Sequence, residues 1–144
     1  MAQLRWLHIC EKALIERDTH SVSLIRIVER VRVPRPTPGP SPEQPIVVPF
    51  SFSIAQRWER TADRAETLTV RVRLLNSSGK QFAQGESTID LATHPAAHSI
   101  INVPGFPLGP PGPISVQVQT SADGKRWRTV GKTMFALEFL DEKT

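Results

Sequence analysis

The chain contains no tyrosine and one cysteine, Cys10, among 144 residues. A lone thiol excludes an intrachain disulfide framework and any four-cysteine zinc site, so burial must hold the fold. No run approaches the ~20 consecutive apolar residues of a membrane-spanning helix. Arg5, Glu11, Lys12, Glu16 and Arg17 break up the amino-terminal stretch, so no signal-peptide hydrophobic segment fits there. These absences predict a cytoplasmic protein with no membrane partner and no cofactor. What remains is ordinary for a globular chain: 39% hydrophobic and 22% charged residues. At this size a single domain, residues 1–144, buries ~two-thirds of its unfolded surface without further staples.

The formal charge is +4, from 18 basic and 14 acidic residues. The neutral point near pH 9.8 follows from the missing tyrosines and the single cysteine. Almost nothing titrates between histidine and lysine, so a small positive excess carries the balance far upward. The 13 Arg and 5 Lys are spread along the chain, not gathered in one basic run. Nucleic-acid binders usually cluster them.

Proline is abundant, with 13 residues, and concentrates in two stretches, 34–49 and 104–113. Proline lacks a backbone donor and clashes with a preceding helical turn, so neither stretch is a helix interior or a central strand. The first predicts an extended loop, the second a series of turns. Between and around them a two-residue period recurs. Phe50, Phe52, Ile54 and Trp58 share one parity, as do Leu68, Val70, Val72 and Leu74, and as do Ile114, Val116 and Val118. Their alternates are polar, among them Arg57, Arg71, Arg73, Gln117 and Gln119. Each pattern describes a half-buried strand. Ile25, Ile27, Val31 and Val33 suggest a fourth, with Glu29 on the same parity.

Asn76-Ser77-Ser78-Gly79-Lys80 and Ala122-Asp123-Gly124-Lys125 place glycine where hairpins need positive φ. Weaker strand signals cover 82–91, 99–103 and 126–140. The amino terminus is read as a strand apolar on both faces, with Leu7, Ile9, Ala13 and Ile15 on one side and Leu4, Trp6, His8 and Cys10 on the other. The carboxyl terminus repeats this pattern with Phe135, Leu137 and Phe139 against Met134, Ala136 and Leu140. The expected fold is all-β: a single antiparallel β-sandwich of seven to nine strands, immunoglobulin-like or C2-like.

The segments Cys10-Glu11-Lys12 and Val22-Ser23-Leu24-Ile25, followed by Pro49-Phe50 and a strand ending near Trp58, resemble an uncharacterised bacterial and phage domain-of-unknown-function family of small all-β proteins. The resemblance covers most of the chain and implies a sandwich. It implies no activity.

Chemistry-bearing motifs are sparse. His8 and Cys10 share a strand face, but a reactive thiol needs exposure and a base, and cysteine is usually buried. His94 and His98 have the spacing of two helical zinc ligands, yet Pro95 and the surrounding strand signals put them in a loop. Loop acids such as Asp18, Asp63 and Asp123 stand singly, which disfavours calcium-binding loops. Gly105, Gly109 and Gly112 are interleaved with prolines that remove the donors a phosphate loop uses. No Gly-x-Ser-x-Gly elbow occurs. No catalytic residue is assigned.

Trp127, flanked by Arg126 and Arg128, is the best contact candidate. Arg71 and Arg73 on one strand face could follow phosphates. Strips around Trp6 and Ile9 and around Phe135 and Phe139 suggest an interface, with a protein partner or self-association as a dimer. The expectation is a non-enzymatic protein-interaction module. The alternative is a nucleic-acid-associated module using outward Arg residues. A hydrolase or metal-dependent enzyme comes third.

Overall fold

Alternating β-branched and polar residues build strands wherever the sequence shows a two-residue period. The computed structural model describes residues 2–140 except 17, 20, 36–45 and 62. Its elements are all strands: β1 (Gln3–Ile15), β2 (Val22–Ile27), β3 (Arg30–Pro34), β4 (Val47–Val48), β5 (Phe52–Glu59), β6 (Thr67–Leu75), β7 (Gln81–Asp90), β8 (Ala96–Val103), β9 (Phe106–Pro107), β10 (Gly112–Ser121) and β11 (Arg128–Leu140). One sheet has the order β2-β1-β5-β8, a second β3-β11-β10-β6-β7, and β4 with β9 forms a short third. The amino terminus is a strand, β1. Among the described residues no helix is long and apolar enough to cross a membrane.

The all-β expectation holds, but the architecture is a curled half-barrel instead of a plain immunoglobulin-type sandwich. Two features produce the curl. β1 and β11 are each 13 residues long and bring the two large sheets together along one side. Gly131 of β11 sits under Leu4 of β1, where a Cβ would lie 2.5 Å from the Leu4 Cδ2. The second feature corrects the reading of residues 25–33 as a single strand. Arg26 takes φ +52°, and the chain crosses from the first sheet to the second at Val28 and Glu29. The N–H of Val28 donates to the Ile9 carbonyl in one sheet, and the N–H of Ala136 in the other donates to the Glu29 carbonyl. β3 then pairs parallel with β11, so the sheet is not wholly antiparallel.

Phe52, Ile54, Val70, Val72, Val116 and Val118 are buried in one core drawn from both sheets, as parity predicts, while Phe50 packs against its margin. Phe52, Phe106 and Phe135 meet edge-on at centroid distances of 5.3–6.2 Å. Phe106 stands among turn residues in the sequence; β9, two residues long and paired with β4, carries it inward. Gln56 lies on the inward face of β5 at 0% exposure, where its Oε1 accepts the indole N–H of Trp58 at 3.1 Å. The central part of the first proline-rich loop lies outside the described residues.

Candidate functional site

The outward face of the five-stranded sheet is polar because the alternates of the core residues on β6 and β10 are Arg, Gln, Ser and Thr. Antiparallel register places Arg71 opposite Gln119 and Arg73 opposite Gln117, with Lys132 on the far side of Gln117. Arg71 Nε donates to Gln119 Oε1 at 2.9 Å, and Gln119 Nε2 donates to Thr129 Oγ1 at 3.3 Å. Arg73 Nε donates to Gln81 Oε1 at 2.6 Å.

Trp127 completes the face. The β10–β11 turn is tied by Asp123, whose Oδ1 accepts the backbone N–H groups of Lys125 and Arg126 at 2.8 and 2.9 Å and the Ser121 hydroxyl at 3.1 Å. Those donors, the Arg126 N–H foremost, hold the Asp123 carboxyl below the usual carboxylate range. Gly124 supplies the positive φ of +75° that the turn requires. The chain leaves this turn with the indole of Trp127 under the Arg71 guanidinium, 4.1 Å from Cζ to the ring centroid. Arg71 is thus oriented by a ring and an amide, neither of which cancels its charge.

Six other arginines are ion-paired. Arg5 and Arg57 share Glu59, Arg30 and Arg32 share Glu138, Arg26 pairs with Glu11 and Arg60 with Asp63. Among the described residues Arg71, Arg73 and Lys132 form no ion pair, although Glu86 stands in register beside Arg71. Arg126 and Arg128 flank Trp127 as exposed side chains. Trp127, Arg71 and Arg73 therefore share one surface, whereas Arg128 stands in register with the buried Thr120, on the opposite parity from the Gln119 that holds Arg71. The Arg71–Trp127 stack has no local signature in the sequence, because it joins positions far apart in the chain.

The other candidates lie elsewhere. His94 is exposed in the bend before β8, and His98 is half-buried on β8 with Nε2 3.2 Å from Arg57 Nη1. The two are not on a helix, and among the described residues no group of three His, Cys, Asp or Glu could hold a metal ion. Cys10 is fully buried, its Sγ donating to the Ser53 carbonyl at 3.8 Å, and burial pushes its thiol up. His8 turns toward Trp6, with ring centroids 5.6 Å apart. Of the proposed interface residues, Ile9 and Phe135 are corrected: both point inward, at 2% and 0% exposure, because their parity serves the inter-sheet core. Trp6 stays half-exposed, and Phe139 lies under the Arg35 guanidinium at 5.5 Å.

No known family matches the chain by sequence, and no curated protein does. Among solved structures it is similar to the Pseudomonas fluorescens alkylpurine DNA glycosylase AlkC bound to DNA containing an abasic site analog, with a TM-score of 0.54 and 13% identity. The match covers 95% of this chain but only 30% of the glycosylase chain, so this chain spans less than a third of that protein. At that identity the likeness is one of fold.

Proposed function

We propose that the protein is a nucleic-acid-associated module, non-enzymatic and cytoplasmic, that lays the outward face of its five-stranded sheet against a phosphate backbone. One observation carries the reading: Arg71, stacked on Trp127 and held by a neutral amide, lies beside Arg73 and Lys132, and among the described residues none of the three forms an ion pair. Guanidinium groups fixed by uncharged partners keep their terminal N–H donors and full charge for phosphate oxygens. Gln117, between Arg73 and Lys132, adds an amide for sugar or phosphate. Such contacts give affinity without sequence choice. A similar fold within a protein that is bound to DNA is in keeping with this role.

The test is fluorescence anisotropy with labelled duplex and single-stranded oligonucleotides across a salt series. We expect non-specific binding, with Kd of roughly 10⁻⁴–10⁻⁶ M at physiological salt. Replacing Arg71 and Arg73 together by Ala should flatten the log–log salt slope by about 1.8 on duplex, since each phosphate left without its cation takes away about 0.9. Absence of binding at low salt, or an unchanged slope in the double variant, rejects the reading.

A second reading, self-association, rests on the β1–β2 hairpin. Leu14, Ile25 and Ile27 are 44–51% exposed and share one face of this unit. An isologous contact between two copies would cover them. Sedimentation of the wild type and of Ile25→Ser/Ile27→Ser decides it: a dimer that the variant no longer forms supports the reading, and a 16.0 kDa species in both removes it.

A further inference from the structure

The first sheet carries a separate feature. The tip of the β1–β2 hairpin and the bend before β8 border a cleft of about 510 Å³ whose lining includes Ile15, Thr19, Arg57, His94, Pro95 and His98. That volume lies within the range of small-molecule sites. Its charged lining group is Arg57, and the Glu16 carboxylate lies at the rim, where it accepts the Thr19 hydroxyl at 3.0 Å. Arg57 Nε donates to Glu59 Oε1 at 3.0 Å, but the other Glu59 oxygen is taken by Arg5 Nε at 2.9 Å. One carboxylate therefore serves two guanidinium groups, and the Arg57 charge is only partly offset by Glu59.

A guanidinium cannot accept a hydrogen bond, so in the 3.2 Å contact between Arg57 Nη1 and His98 Nε2 the imidazole accepts and carries its proton on Nδ1. This arrangement is hostile to a metal cation. The Nε2 lone pair is occupied, and a fixed positive charge lies beside it. It suits an anion: Arg57 offers charge and donors and His94 a ring N–H, while Ile15 and Pro95 form an apolar wall; the Thr19 hydroxyl is already given to Glu16 Oε2 at 3.0 Å. The Trp6 ring lies tilted against His98, centroids 5.6 Å apart, on the side of β1.

From this geometry we infer that the cleft between the β1–β2 hairpin and the start of β8 binds a small phosphorylated molecule, its phosphoryl group on Arg57 and His94 and its apolar portion against Ile15 and Pro95. The site is built on the first sheet and is independent of the Arg71 face on the second.

The experiment is a titration of the full chain with inorganic phosphate, phenyl phosphate and phenol, followed by the ring-proton NMR signals of His94 and His98. Saturable shifts of both are expected with the two phosphates, phenyl phosphate being the tighter, and phenol alone should be weak. Arg57→Gln should weaken phenyl phosphate about tenfold or more, the worth of one charge-assisted contact. His94→Ala, at an exposed position that leaves the core untouched, should weaken it as well and decides the matter if Arg57→Gln does not fold. Arg71→Ala/Arg73→Ala should leave it unchanged while lowering oligonucleotide binding, which separates the two sites. Shifts that grow linearly with concentration, or equal affinity in the wild type and His94→Ala, overturn the inference.

Discussion

Asp123 is the residue on which the Trp127 position depends. Its carboxylate gathers two backbone donors and one hydroxyl in a single turn, and these favour its charged form. A carboxyl held lower in the folded chain contributes stability above the unfolded value of ~3.9, and that contribution is lost as pH falls through the lowered folded value. Acidification below the ordinary carboxylate range should therefore release the turn and alter Trp127 emission. Asp123→Ala should show the altered emission already at neutral pH and lose the acid-side change. Gln56 offers a second test at this scale. Its amide nitrogen is buried without a partner among the described residues, yet its oxygen satisfies Trp58. Gln56→Leu should cost about 1–3 kcal/mol by orphaning the indole N–H. In a Trp58→Phe background the same change should cost much less, and additive urea-denaturation values would contradict the account. Neither role is legible in the sequence: parity puts Gln56 inward, but only packing tells whether a partner meets it there.

At the level of elements, β11 does the most joining. It pairs with β10 on one edge and β3 on the other, and its Gly131 accepts Leu4 of the facing sheet. A methyl at position 131 must push the Leu4 side chain aside, so Gly131→Ala should destabilise by roughly 1–3 kcal/mol. Leu4→Ala should make room and reduce that penalty, which a double-mutant cycle in urea would reveal. The alternating runs of β5, β6 and β10 are legible because each has one wet and one dry face. β2 and β3 look like one strand in sequence because the hydrophobic period runs through Val31 and Val33. The break depends on Val28 and Glu29 each bonding a different sheet, a long-range choice with no local signature. β9 leaves no periodic trace because its two residues sit among prolines and glycines, and its membership rests on pairing with β4.

For the molecule as a whole, one buried cluster draws on both large sheets, so neither sheet has a core of its own. We expect a single cooperative unfolding transition, with Trp58 fluorescence and backbone circular dichroism coinciding in urea. Two separated transitions would mean that the sheets fold independently. Phe52→Ala, which removes the ring touching both Phe106 and Phe135, should lower stability by ~3–5 kcal/mol. The candidate face also belongs to this scale. Arg71 and Arg73 are visible in the sequence as outward alternates of one strand. That Arg71 forms no ion pair, although Glu86 is its cross-strand neighbour, follows from its side chain lying over Trp127 and bonding Gln119, contacts that only the assembled sheet supplies.

The amino-acid sequence by itself determined an all-β chain, the inward residues of its regular strands, the glycine turns at positions 79 and 124, and the dispersal of its charge. These follow from period-two burial and backbone sterics, which act over a few neighbouring residues. Only the tertiary structure decided that the sheets curl into a half-barrel, that the chain changes sheets at Val28, that Trp127 lies under Arg71, and that Arg57 meets His98 at a cleft. Each of these is a contact between residues distant in sequence. Its free energy depends on register and twist accumulated across several strands, which no short window of sequence encodes.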